Sequence, residues 1–313
     1  MDTILITGAN GFIGRNLIDF LLRETEHKII SLHRSPQSFK SNDRVKNIYY
    51  DLRNPIDQKT IKEIGNIDYI VHLAASTCAK KSFIDPTDTI VNNMIGTANL
   101  LEYVRQNLTN LKQLLYFSTA EIFGPTINGV SFKESDPINA NSPYAATKIG
   151  AQELCVAYQR TYGIPVVFTY AMNSFGPHQS SEKFIPILIK KISEGEKVSI
   201  HLDGNLRTPL KRNYLHIKDM CDVILFLLHQ GIPGEKYNIA AEEQTDNLML
   251  AQIISKLLDK RLNYELVVQN QNTLAHPYLN GEKLQKLGWR QKRTLEEGLK
   301  ELIEWTKKEK YDN

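Results

Sequence analysis

Apolar and polar positions alternate with two different periods along the first half of the chain. Runs at Thr3–Thr7, Lys28–Leu32, Val45–Tyr50, Tyr69–Leu73 and Leu114–Ser118 carry the short apolar pattern of buried strands. Between them, Phe12–Arg23, Asp57–Ile64 and Thr87–Gln106 repeat their apolar residues at helical spacing. Pro143–Tyr162 then reads as one long helix and Val166–Tyr170 as a further strand. Strands alternating with helices imply parallel strands joined by right-handed crossovers, so the expected class is α/β with a doubly wound parallel sheet.

After about Met172 the rhythm changes. Pro177, Pro186, Pro209, Pro233 and Pro277 punctuate shorter elements. Helical patterns at Ile185–Glu194, Met220–His229, Leu248–Leu258 and Leu295–Lys307 alternate with strand-like runs at Tyr237–Ala240 and Glu265–Val268. No repeat or flexible linker intervenes, so a smaller C-terminal α/β lobe is expected to pack directly on the sheet, leaving a cleft. The expected division gives residues 1–172 and 212–241 to the sheet domain and 173–211 and 242–313 to the lobe.

Composition narrows the class. The 313 residues are 42% hydrophobic and 23% charged, enough for a sizeable core and unlike a disordered chain. Lys and Arg number 38 against 35 Asp and Glu, a net charge of +3. The basic pairs Lys80-Lys81, Lys190-Lys191 and Lys211-Arg212 are scattered, so no nucleic-acid partner is expected. No run of about 18 apolar residues exists, so no membrane-spanning helix is expected. A strand-like run starts almost at the first residue, which argues against a secretory leader. Cys78, Cys155 and Cys221 are widely spaced and lack metal-ligand spacing. They read as buried thiols of a cytoplasmic protein with no metal site.

Two constellations carry chemistry. The first strand runs into Gly8-Ala9-Asn10-Gly11-Phe12-Ile13-Gly14 and then a helix. Glycines there let the backbone turn tightly and approach a pyrophosphate seated on the helix N-terminus. Where the second strand ends, an acidic residue would accept from a ribose 2′-hydroxyl; this chain has His33-Arg34-Ser35 instead. Arg34 suits a 2′-phosphate, which tilts NAD(P) binding slightly towards NADP, with NAD nearly as well accommodated. The second constellation is Tyr144-Ala145-Ala146-Thr147-Lys148. Residues four apart share a helix face, so the ammonium can sit beside a phenol that is a poor base at its usual pKa of ~10. Alone this spacing is commonly a solvated helix face. Its position after Ser118-Thr119 and downstream of the glycine turn favours the functional reading.

Together these segments resemble the extended short-chain dehydrogenase/reductases, in the NAD(P)-dependent nucleotide-sugar epimerase/dehydratase group. The resemblance extends through Asp51-Leu52, His72-Leu73-Ala74-Ala75, Asn93-Met94-Ile95-Gly96-Thr97, Ser118–Gly124 and Asn173-Ser174-Phe175-Gly176-Pro177. It implies a Rossmann-type dinucleotide-binding sheet, a small substrate-binding lobe, and oxidation at C4 of a nucleotide-linked sugar. Tyr144 would take the C4-hydroxyl proton, Lys148 would hold the cofactor ribose and lower the tyrosine pKa, and Thr119 would hydrogen-bond the hydroxyl. Gly8, Asn10, Gly11, Phe12, Ile13, Gly14, Asp51, Leu52, Leu73, Ala74 and Ala75 would line the cofactor, with Asn93 steadying the strands around it. Asn173, Lys183, Phe184, Arg212 and His276 would meet the substrate. The family also implies a homodimer built from the Thr87–Gln106 and Pro143–Tyr162 helices.

The segment Ser118–Gly124 bears on the reaction. Sugar 4,6-dehydratases most often carry an Asp-Glu pair where this chain has Ala120-Glu121. Glu121 would serve as the base for C5, but Ala120 has no proton for a departing C6 hydroxyl, and losing general acid catalysis costs ~10²–10⁴-fold. The expected activity is therefore C4 oxidation as a 4-epimerase or 4-dehydrogenase in cell-surface polysaccharide or glycoconjugate sugar biosynthesis. The alternative is a nucleotide-sugar 4,6-dehydratase. Further from the pattern stand a 4-ketoreductase, a decarboxylase and a non-catalytic NADP-binding protein. The lobe also departs from the family's pattern: Gly204 to Arg212 is a long spacing, the Arg-Asp pair reads Arg212-Asn213, and Leu274–Tyr278 lacks arginine.

Overall fold

A computed structural model describes residues 1–35, 42–125, 131–202, 208–268 and 278–311, with side chains to 308. Gly204 and His276 lie outside the described residues. The strands are β1 (Thr3–Thr7), β2 (Lys28–His33), β3 (Val45–Tyr49), β4 (Tyr69–His72), β5 (Gln113–Thr119), β6 (Val166–Ala171), β7 (Asn173–Phe175), β8 (Val198–Leu202), β9 (Lys211–His216), β10 (Lys236–Ile239), β11 (Gln244–Asp246) and β12 (Tyr264–Val268). The helices are α1 (Phe12–Glu24), α2 (Gln58–Ile64), α3 (Ala79–Ile84), α4 (Pro86–Ile90), α5 (Gly96–Asn107), α6 (Pro143–Tyr162), α7 (Phe184–Ser193), α8 (Ile217–Gln230), α9 (Asn247–Leu258), α10 (Glu282–Leu287) and α11 (Leu295–Tyr311).

Seven strands form one parallel sheet in the order β10-β6-β5-β4-β1-β2-β3. The chain winds outward from β1 to β3, then returns to β4 on the other side of β1. That reversal opens a crevice at the carboxyl ends of β1 and β4. Their register aligns Thr7 with His72, so both strands stop level at the crevice floor.

Side-chain alternation divides the core. Ile4 and Ile6 point to one face, where they pack with Leu17, Ile18 and Leu21 of α1 and Leu227 of α8. Leu5 points to the other, against Leu100 and Leu101 of α5 and Ala151 and Cys155 of α6. A separate cluster, including Ile185, Leu188, Ile200, Leu250, Ile254 and Leu299, fills the lobe. There β11-β9-β7 and β12-β8 make two small sheets.

The continuous helix expected over Thr87–Gln106 is interrupted. A π-helical turn at Val91–Ile95 separates α4 from α5, and Gly96 N–H reaches back five residues to Val91 O. Such wide turns insert one residue and redirect the side chains around them. The short elements α3, β7, β8, β9, β11 and α10 were not anticipated, because three to six residues carry too little periodicity. Within the segment expected in the lobe, Leu284 of α10 and Trp289 pack into the α1–α8 core of the sheet body instead.

One ion pair, buried at its aspartate and half-buried at its arginine, ties the C-terminal segment to that body. Asp219 of α8 is wholly buried and accepts from Arg293 Nη1 at 2.7 Å and Arg293 N–H at 3.1 Å. Burial pushes its carboxyl up while Arg293 pulls it down. Removing one partner of a buried pair leaves an uncompensated charge, so Arg293→Leu should destabilise the protein by ~3–5 kcal/mol in urea denaturation. Asp219→Asn, which keeps a hydrogen-bonding group without the charge, should cost clearly less.

Candidate active site

A cavity of about 950 Å³ opens over the carboxyl ends of β1 and β4 and continues under the lobe. Its first wall is the turn from β1 into α1. Gly8 has φ +69°, and a Cβ there would stand 2.7 Å from Ala74 N. A Cβ on Gly14 would lie 2.6 Å from Ala9 O. Neither position admits a side chain. Gly11, the N-cap of α1, provides no side-chain cap and the first turn holds no carboxylate, so the leading N–H groups of α1 remain open to an anion. This cradle fits the pyrophosphate of a dinucleotide.

Arg34, Asp51, Leu52, Leu73, Ala74 and Ala75 continue the same wall. Arg53, not anticipated, lies two residues from Asp51 and grips its carboxylate at 2.6 and 2.8 Å, holding that carboxyl below its usual range. Arg34 is exposed and donates from Nη1 to Asn92 Oδ1 at 2.6 Å.

Opposite stand Thr119, Glu121, Tyr144 and Lys148. Ser142 caps α6 by accepting from Ala145 N–H, and Pro143 opens its first turn, which fixes where Tyr144 and Lys148 emerge. Tyr144 is 6% exposed and stands beside Thr119. Burial and the Glu121 charge push its phenol up, against the pull of Thr119. Lys148 is not among the groups that set it. Its Nζ lies over the Tyr116 ring, 4.4 Å from the centroid, and burial lowers its pKa to about 8. The aromatic face is a cation's partner without a countercharge.

Glu121 sits in the short 3₁₀ turn Ala120–Phe123, whose first N–H groups include one bonded to Thr119 Oγ1 at 3.3 Å. Burial raises its carboxyl, while Lys183 and Arg212 across the cavity lower it. Ala120 lines no part of the cavity and packs with Phe123, Tyr170 and Met172.

Asn173, Lys183, Phe184 and Arg212 reach the cavity from the lobe side. So every candidate site residue among the described residues lines it except Asn93, which is 1% exposed and lies behind the wall. Gln179, which opens the Gln179–Pro186 segment that the resemblance gives to the diphosphate and nucleoside, also lines the cavity, as does Tyr214, which no local signal in the sequence marked.

The fold and this cavity define a class: a doubly wound parallel sheet with a glycine-lined turn beside a Thr-Tyr-Lys cluster, covered by a C-terminal lobe. The sequence profile described as the NAD dependent epimerase/dehydratase family matches residues 4–240. The chain belongs to that family.

Among curated relatives, an Arabidopsis thaliana trifunctional UDP-glucose 4,6-dehydratase/UDP-4-keto-6-deoxy-D-glucose 3,5-epimerase/UDP-4-keto-L-rhamnose-reductase is 33% identical, over 96% of this chain and 46% of the relative. This chain thus spans about half the length of that plant protein. The Homo sapiens dTDP-D-glucose 4,6-dehydratase is 31% identical over 96% of this chain and 89% of its own. A solved dTDP-glucose 4,6-dehydratase from Bacillus anthracis, in complex with NAD, is 30% identical with a TM-score of 0.87, covering 99% and 98% of the two chains. These similarities favour the 4,6-dehydratase alternative over the 4-epimerase or 4-dehydrogenase first expected from Ala120.

Burying Lys148 has an energetic cost with a definite pH signature. Its folded pKa of about 8 lies below the ordinary 10.5, so below pH 8 the ammonium is charged in both states and the penalty is complete. It amounts to about 3 kcal/mol. Stability should rise as pH climbs from about 8 to 10.5, where the unfolded chain binds the extra proton. Lys148→Met should therefore raise the melting temperature at pH 7, abolish turnover, and remove that pH-dependent rise; thermal denaturation across pH checks all three.

Proposed function

We propose that this protein is a nucleotide-sugar 4,6-dehydratase acting on a hexose linked to a nucleoside diphosphate, with NAD as cofactor. The observation that carries the reading is Glu121. A carboxylate is costly to bury, and this one stands inside the cavity close enough to Tyr144 to raise its phenol. Oxidation at C4 alone has no use for it; removing a C5 proton does. The dehydratase relatives support the same reading.

Gly8, Gly11, Gly14 and the N–H groups of α1 would hold the pyrophosphate, and Asp51 and Lys148 the two ends of the cofactor. When bound, the cofactor supplies a hydride acceptor for C4 and a hydride donor for C6. Tyr144, beside Thr119, takes the C4-hydroxyl proton as a phenolate, the form that the positive charge of a bound oxidised nicotinamide would favour over the neutral phenol of the free protein. Glu121 then takes the C5 proton, acidified by the C4 ketone. Ala120 has no proton to give, so Glu121 also delivers one to the C6 hydroxyl, which departs as water; when hydride reaches C6, Glu121 passes a proton from solvent to C5, and Tyr144 returns its proton to solvent. Lys183, Arg212, Asn173 and Phe184 receive the nucleoside diphosphate. Solved relatives carry NAD, and Arg34, the residue behind an NADP preference, spends Nη1 on Asn92.

Product masses test this. Wild type should release a sugar nucleotide lighter by one water; unchanged mass would establish an epimerase, and loss of two hydrogens a dehydrogenase. Tyr144→Phe should lower C4 oxidation by ~10²–10⁴-fold. Glu121→Gln should leave C4 oxidation and block water loss. The wild-type rate of water loss should rise with pH through a limb above the usual carboxylate range, because burial raises Glu121 and only its ionised form is a base.

Among the described residues no helix is long and apolar enough to cross a membrane, and we place the enzyme in the cytoplasm. We also read it as a homodimer. Phe83, Ile84, Ile90 and Ile95 are 62, 84, 42 and 44% exposed along α3, α4 and the π-turn. The apolar residues Leu154, Val156 and Tyr158 of α6, in contrast, are partly buried against the core of their own subunit. Sedimentation should give a dimer at micromolar concentration, and Ile90→Asp with Ile95→Asp a monomer.

A further inference from the structure

Beneath the cavity wall runs a chain of buried hydrogen bonds whose direction is fully determined. Thr97 Oγ1 lies 2.6 Å from the carbonyl oxygen of Asn93, to which only the hydroxyl can donate. Having spent its proton, that hydroxyl must accept from His72 Nε2, 2.9 Å away. His72 therefore carries its hydrogen on Nε2. Its Nδ1, 2.7 Å from Thr7 Oγ1, is left as an acceptor for the threonine hydroxyl. Thr7 Oγ1 in turn accepts from Ala74 N–H at 3.2 Å. Thr7, His72, Thr97 and Asn93 are each at most 2% exposed, so water does not compete.

Both ends of the chain reach working parts of the cavity. At one end, Ala74 N is the atom that a Cβ on Gly8 would strike, so its position sets the cradle wall. At the other, Asn93 lies in the π-turn. Its Oδ1 accepts from Ser76 N–H at 2.7 Å, and its Nδ2 donates to Thr147 Oγ1 at 2.9 Å. Thr147 Oγ1 donates to Tyr144 O at 2.7 Å, within the first turn of α6. His72 is also held neutral, because burial and the nearby Lys148 push its pKa down to about 3. A protonated ring would carry a hydrogen on Nδ1 and could not accept from Thr7.

We propose that His72, locked as the Nε2–H tautomer, is a positioning residue that holds the cradle wall at Ala74 through Nδ1 and the Tyr144–Lys148 helix through Nε2. This rests on the reading of the cavity as a cofactor and sugar site.

The two ring nitrogens allow the halves to be separated. The amide oxygen of His72→Asn takes the place of Nδ1 and leaves Thr97 without a donor. The amide nitrogen of His72→Gln takes the place of Nε2 and leaves Thr7 without an acceptor. Calorimetry should show His72→Asn binding NAD as wild type does, with kcat reduced on the order of tenfold. His72→Gln should weaken NAD binding on the order of tenfold, with kcat at saturating NAD reduced less. Thr97→Val should copy His72→Asn, and Thr97→Ser, which restores the hydroxyl, should recover wild-type kcat. Nitrogen-15 NMR of histidine-labelled protein without cofactor should show Nε2 protonated and Nδ1 bare from pH 6 to 8.

A bare Nε2, or folded variants that alter both parameters alike or neither, would overturn the proposal. If the His72 variants do not fold, the Thr97 pair decides: an unchanged kcat in Thr97→Val, or no recovery in Thr97→Ser, overturns it. A wild-type protein that binds no NAD would overturn the underlying reading instead, whereas an NMR result of Nε2–H would still stand.

Discussion

The structure depends on how closely two backbones approach at the crevice between β1 and β4. Gly8 passes Ala74 at a distance that excludes even a methyl group, and Gly14 does the same over Ala9. This contact brings the N-terminus of α1 to the floor of the cavity and sets the level of the wall beside it. The sheet order makes the crevice, since neighbouring strands leave it in opposite directions. Displace either backbone and the cradle, the wall and the entry to α1 shift together.

On that frame the protein places groups that disfavour folding. Lys148 is buried over an aromatic ring, Tyr144 is buried as a neutral phenol, and Glu121 is a carboxylate within the same cavity. None has a full countercharge in contact. Their energetic cost is offset by the two apolar layers against the sheet and the separate lobe core. The reactive groups are thus held by packing on the sides away from the cavity, which keeps them oriented without paired charges.

The lobe is joined to the sheet body by polar as well as apolar contacts. Asp219 and Arg293 link α8 to the segment before α11, and Glu301 extends that network to Lys218. Asn16 Nδ2 donates to Pro177 O at 2.9 Å, so α1 also steadies the loop leading to Lys183. One helix thereby serves both the cradle and the lobe side of the cavity.

Much of this was legible in the amino-acid sequence. The strand–helix alternation, the glycine turn and the four-residue spacing of Tyr144 and Lys148 arise from local rules, periodicity and turn geometry acting over a few residues. They determined the class of fold, and with the family resemblance they named about half of the residues now found around the cavity. What they did not carry is what depends on partners far away in the chain. Thr7 and His72 are 65 residues apart and Asn93 and Thr147 are 54, yet each pair is in hydrogen-bond contact. The burial of Glu121 opposite Lys183 and Arg212, and the apolar surroundings of Ala120, follow only when β5, α7 and β9 are brought together. Burial and long-range hydrogen bonding are set by sheet order and lobe packing, so the sequence by itself named the chemical groups and the tertiary structure decided their charge, direction and partners.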